Sequence, residues 1–161
     1  MRALDEWLGN QLNMGAEMLF GHLALISAAV FSGAALYVSV AEQPARLKLD
    51  DQALLAEWKP SYKRGFAMQA PLALIGCIFG LLAWWRESEF GLLIGAALMI
   101  APWPWTLIAI MPTNNALMAI DPAKPTPNAR ALVVKWGYLH AVRSALGVLA
   151  TLSFLWGCLS N

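Results

Sequence analysis

Four long apolar stretches constrain this chain more than anything else in it. They run from about Met18 to Ala41, Phe66 to Trp85, Phe90 to Met111 and Ala131 to Leu159. Each reaches the roughly 20 residues that a helix needs to cross about 30 Å of hydrocarbon. Lipid offers no partner for a backbone N–H or C=O, so each stretch must satisfy its own as a helix. The alternating polarity of a transmembrane strand is absent. With 161 residues there is room for one domain. The expected fold is therefore all-α: an integral membrane four-helix up-down bundle forming a single domain over residues 1–161.

Composition supports lipid as the solvent. Hydrophobic residues make up 59%, charged residues 13%, and mean hydropathy is +0.55, whereas soluble domains carry about 25% charge. The net charge of +1, with no basic tract, gives no footing for nucleic acid. Cys77 and Cys158 form no CxxC pattern and suggest no disulfide framework. At the N-terminus Arg2 is followed at once by Asp5 and Glu6, and the next apolar run is of full span length, unlike a cleavable signal. Leu4, Trp7, Leu8 and Leu12 suggest a short helix lying in the interface.

Four spans put both termini on one side, with Arg2 and Arg86. The other side carries Arg46, Lys48, Lys59, Lys63, Arg64, Lys124, Arg130 and Lys135. This bias sets the long loops in the cytoplasm and both termini outside, as in a bacterial inner membrane. Turn chemistry suggests boundaries. Asp50 and Asp51 would cap a short amphipathic helix ended by Pro60, Arg86 to Glu89 reads as a four-residue hairpin, and Thr126-Pro127 as an N-cap with proline at the first helical position. The Gly76/Gly80 and Gly91/Gly95 pairs permit close helix approach or homo-oligomer contacts.

Charged groups inside a membrane cost roughly 2.5 to 3.5 kcal/mol each on insertion scales, so those that persist need a reason. Trp136, His140 and Arg143 share one helical face at i, i+4, i+7. With entry near Ala131, His140 lies about 13 Å deep and Arg143 about 18 Å deep. Up-down topology brings Tyr37 and Glu42, Arg64 and Gln69, and Thr106, Asn114 and Asn115 to the same end. Pro102 and Pro104 should kink the third span there. The expectation is a polar pocket opening toward the cytoplasm beneath an apolar plug. The same contacts would equally fasten helices together, with Glu42 bridging to Arg143 or Arg46. Haem or metal is not expected. His22 and His140 differ in depth by on the order of 10 Å, and His22 lies about 30 Å from Glu42 along one helix.

The pieces LYVSVAEQPARL, WKPSYKRGFAMQAPLAL, PWTLIAIMPTNNAL and KWGYLHAVRSALG together resemble the anthrone oxygenase family of small four-helix membrane proteins. The resemblance covers about residues 33–152 and leaves out His22 and the N-terminal segment. Its motif positions here are Tyr37, Glu42, Pro44, Arg46, Gln69, Pro112, Asn114, Trp136, His140 and Arg143. It implies oxidation of an anthrone by dioxygen without an evident cofactor. His140, one turn from the fixed cation Arg143, would be the base, and Arg143 with Asn114 would hold the developing enolate oxygen. Tyr37, Glu42, Gln69, Asn114 and Trp136 would bind a small hydrophobic aromatic substrate. The competing reading is a non-catalytic membrane protein that binds a hydrophobic ligand or lipid, or serves as a helper subunit.

Overall fold

The computed structural model describes residues 2–160, with side chains described from residue 19 to residue 160. The amphipathic stretch around Leu4, Trp7, Leu8 and Leu12 lies outside those described side chains. Among the described residues there is no strand, and four helices are long and apolar enough to cross a membrane. They are α1 (Leu19–Arg46, its helical backbone starting at Arg2), α2 (Asp51–Glu87), α3 (Phe90–Ala119) and α4 (Ala129–Leu159). This is the expected all-α membrane bundle.

Small residues set how closely the helices approach. A Cβ on Gly91 would fall 2.7 Å from the backbone nitrogen of Gly157, so α3 and α4 touch main chain to main chain there. A Cβ on Gly95 would fall 2.5 Å from the Phe154 ring, which also fills the notch left by Gly80. Both glycine pairs are thus used inside the bundle. Around them Ala24, Ala28, Phe31, Ala73, Met99 and Phe154 form one apolar core. Leu54, Leu55, Trp58, Leu117, Val133 and Trp136 form a second, at the end of the bundle rich in lysine and arginine, called here the basic end.

Three boundaries differ from expectation. Asp50 does cap α2, its carboxylate accepting from the Ala53 N–H at 2.8 Å, but the helix passes through Pro60 and Pro71 to Glu87. Helices usually stop before proline because the ring displaces one hydrogen bond. Here burial of Leu54, Leu55 and Trp58 on the near side of Pro60 keeps the segment helical. The α2–α3 turn narrows to Ser88 and Glu89. Ser88 takes a left-handed conformation (φ 56°), and its N–H returns to the Trp84 carbonyl at 2.8 Å. Helix α4 begins at Ala129 with Asn128 as N-cap, not at Pro127, and the Thr126 hydroxyl instead bonds Asn128 at 2.7 Å.

Two π-helical turns interrupt the α geometry, Val38–Glu42 in α1 and Thr106–Ile110 in α3. Each closes with an i to i−5 bond, Gln43 N–H to Val38 and Met111 N–H to Thr106. Each is followed two residues later by a proline, Pro44 or Pro112. A proline ring collides with the carbonyl four residues back, here Val40 or Ile108. Widening the turn draws that carbonyl away. In an α-helix, steps of four drift about 40° around the axis. The wider turn keeps Ala35, Ser39 and Gln43 on one inward face.

Candidate functional site

Between the two apolar cores lies a polar layer to which all four helices contribute. Helix α4 supplies His140, Arg143 and Ser144, each buried. The Arg143 guanidinium donates through Nη2 to the Gln69 Oε1 of α2 at 3.1 Å, and its Cζ sits 5.7 Å from the Phe31 ring centroid. Asn114 of α3 is only 1% exposed, yet neither of its amide atoms makes a hydrogen bond of ordinary geometry. The Tyr62 hydroxyl is its nearby polar neighbour. Arg143 Nε is likewise buried without a partner.

His140 is held on two sides. Its ring stacks on Trp136, and its Nδ1 lies 3.2 Å from the Ser39 hydroxyl in the π turn of α1. Ser39 in turn lies 2.8 Å from the Ser144 hydroxyl, which donates to the Ala35 carbonyl at 2.9 Å. Trp136 is engaged already, with Trp58 edge-on at 5.7 Å and Arg46 over its ring at 5.5 Å. Its face is therefore not free to stack on a ligand.

Five of the seven residues singled out in the sequence line one small cavity. Gln69, Asn114, Trp136, His140 and Arg143 surround it with Val38, Tyr62, Gly65, Phe66 and Ile110. Its volume is about 20 Å³, enough for about one water molecule and too little for a ring system. The other two residues stand elsewhere. Tyr37 is 64% exposed. Glu42 binds Arg46 and the Ser61 hydroxyl, not Arg143. Arg46, only 2% exposed, also pairs through Nε with Glu57 at 3.0 Å.

Tyr37 and Glu42 line a groove between α1 and α2, together with Glu57, Ser61, Arg64 and Met68. At about 510 Å³ it falls in the range of small-molecule sites, roughly 300–1,000 Å³. Groove and cavity share Val38, Gly65 and Gln69 as a common wall. The second apolar core, with Trp58, Leu117 and Val133, packs at the basic end beneath the polar layer, and the groove beside the cavity lies between α1 and α2.

Some residues of this layer were missed in the sequence. Ser144 follows His140 by four positions on the same face, a spacing that could have marked it. Ser39 gave no such signal, because only the π turn aims it inward. Among the described residues, no three His, Cys, Asp or Glu side chains come together as metal ligands would, and His22 is exposed near the start of α1.

Fold and site together define a class: a small helical membrane protein that gathers an imidazole, a guanidinium and a buried amide around one small cavity. Comparison with known proteins narrows that class. Residues 58–153 match the family model described as anthrone oxygenase. An anthrone oxygenase of Claviceps purpurea is 33% identical over 77% of this chain and 79% of its own length. The anthrone oxygenase tpcL of Aspergillus fumigatus is 33% identical over 75% of this chain and 81% of its own. A third, nsrD of Aspergillus novofumigatus, is 28% identical over 81% and 88% respectively. No solved structure matches the chain. The chain belongs to the anthrone oxygenase family.

Proposed function

We propose that this protein oxidises a planar phenolic or anthrone-type molecule with dioxygen, using its own side chains instead of a resident cofactor. The observation that carries the reading is the convergence of His140, Arg143, Gln69 and Asn114 on one cavity that shares a wall with a groove of substrate size. The rings enter from the groove past Tyr37 and Gln69, and the small cavity widens to seat the central ring, with His140 at its methylene carbon and Arg143 and Asn114 at the oxygen across that ring. Glu42, held by Arg46 and Ser61, accepts from a phenolic hydroxyl.

The chemistry follows from charge. His140 takes a proton from the substrate methylene, which is acidic because the anion spreads into a phenolate-like ring system. Arg143 and Asn114 hold the oxygen on which that charge settles, and a dry site makes such donors worth more than in water. The anion passes one electron to dioxygen. The resulting radical and superoxide join through a new C–O bond, and a proton completes the hydroperoxide. Loss of water then leaves a carbonyl where the methylene stood, so one anthrone and one dioxygen yield one quinone and one water. The apolar surroundings favour both dioxygen and the ring system.

The basic end faces the cytoplasm and both termini lie outside, a reading supported by the lysine and arginine bias. Reporters fused to either end in a bacterial inner membrane test it, and an active cytoplasmic reporter at the C-terminus would refute it.

A second reading has an observation of its own. The Ser39–His140 and Gln69–Arg143 bonds each tie two helices together, as a purely structural layer in a ligand-binding protein would. Oxygen uptake with an anthrone separates the two. The purified protein should consume one dioxygen per anthrone, and His140→Ala and Arg143→Gln should abolish uptake while remaining folded in detergent. Uptake that survives both changes sinks the catalytic reading. A stoichiometric metal or a Soret band in the active protein would overturn the cofactor-free part alone.

A further inference from the structure

The hydrogen bonds around Ser39 carry more information than their distances. A hydroxyl has one proton to give. That of Ser144 goes to the Ala35 carbonyl, which can only accept. The 2.8 Å contact between Ser144 and Ser39 must then use the Ser39 proton. With its proton spent, Ser39 can meet the Nδ1 of His140, 3.2 Å away, only as an acceptor. The proton on that contact belongs to the histidine.

We infer that Ser39 and Ser144 are positioning residues that fix His140 as the Nδ1–H tautomer, leaving Nε2 as the bare nitrogen available to the cavity. The chain of donors runs one way, from His140 to Ser39 to Ser144 to the Ala35 carbonyl, and ends on a backbone group that cannot reverse it. Histidine free in water prefers the opposite tautomer, with its proton on Nε2. The bundle thus imposes a choice on the ring, as the second partner of a catalytic or metal-bound imidazole does elsewhere. Trp136, stacked against the same ring, sets its plane, while the serines set its proton. The consequence for catalysis rests on the proposed role of His140: a base must present a lone pair to the substrate, and this arrangement presents Nε2.

The arrangement also gives the π turn of α1 a purpose. Ser39 lies inside Val38–Glu42 and is half-buried. A regular helix would rotate it away from α4 relative to Ala35.

Nitrogen-15 NMR of protein labelled at histidine tests the inference directly. His22→Gln removes the other histidine, which is exposed and far along α1 from the site. In that background Nδ1 should show the protonated, pyrrole-type signal and Nε2 the bare, pyridine-type signal, at pH 7 and without substrate. Ser39→Ala should shift the ring toward the Nε2–H form, and Ser39→Thr, which restores a hydroxyl, should return it. A ring with its proton on Nε2, or on both nitrogens, in the otherwise unaltered protein overturns the inference whatever the variants do. Oxygen uptake is read separately. An Nδ1–H ring in a protein inert toward anthrones upholds this inference and removes only the proposed function, whereas an Nε2–H ring in an active protein does the reverse.

Discussion

The imidazole of His140 lies on the indole of Trp136 with ring centroids 4.9 Å apart and planes inclined by 27°. The pair joins the two halves of the molecule's logic. Trp136 belongs to the apolar core at the basic end, and His140 to the polar layer above it. A residue of the apolar core thereby orients a residue of the polar layer. The face of Trp136 that the sequence offered to a ligand is given to a protein side chain instead, which leaves Tyr37 as the aromatic group on the groove wall.

Asn114 separates a catalytic from a structural polar layer. Its amide is buried and makes no hydrogen bond of ordinary geometry, and its one polar neighbour is the half-buried Tyr62 hydroxyl, so replacing it with a similar apolar shape in a Tyr62→Phe background should not harm the fold. In that background Asn114→Leu is expected to unfold in detergent at the same temperature or higher. Its rate of oxygen uptake with an anthrone should fall about 10²- to 10³-fold, as for loss of one oxyanion donor. Unchanged turnover would remove Asn114 from the site.

The two arginine clusters at the basic end should respond differently to truncation. Arg46 is 2% exposed and serves Glu42, Glu57 and Ser61 together. Arg46→Ala leaves two carboxylates without their cation and is expected to cost about 3–5 kcal/mol. Arg130 pairs with Asp51 at 2.7 Å but is 40% exposed. Screening there limits the ion-pair share of Arg130→Ala to about 1 kcal/mol, and the variant also loses the bonds that the guanidinium donates to the Leu47 and Leu49 carbonyls at 2.7 and 2.6 Å. Chemical unfolding of both variants in one detergent checks the ranking.

Glycines give a second contrast. Gly95→Ala would drive a methyl group to 2.5 Å from the Phe154 ring, an overpacking expected to cost about 1–3 kcal/mol. Gly33 has nothing within 4 Å of the same position. Gly33→Ala should leave stability unchanged or raise it by about 0.5–1 kcal/mol through helix propensity. Thermal unfolding of the pair checks both signs.

If the groove between α1 and α2 carries the substrate, filling it should weaken binding before it slows chemistry. Met68 lines the groove and is exposed, and it is not among the residues lining the cavity of His140 and Arg143. Met68→Trp is expected to raise KM several-fold with kcat within about a factor of two. Steady-state oxygen uptake against substrate concentration measures both, and an unaltered KM would move the binding site elsewhere.

Much of the site was legible because helices repeat. The i, i+4, i+7 spacing of Trp136, His140 and Arg143 put all three on one face, and all three are buried. Up-down topology brought Gln69 and Asn114 to the same level. Ser39 was illegible, since its direction depends on an i to i−5 bond that spacing rules do not anticipate. The partner of Glu42 was equally open until Arg46, four residues on, folded back onto it.

The amino-acid sequence by itself determined the four spans, the helical class and the helix faces, because hydrocarbon forces each backbone segment to satisfy itself and a 3.6-residue repeat then fixes which side chains align. Only the tertiary structure decided that Trp58, Leu117 and Val133 pack together at the basic end, and that the groove lies between α1 and α2. The same holds for the direction of the protons around His140. Those outcomes depend on how separate helices meet, and contacts between residues a hundred positions apart leave no local signature for spacing to reveal.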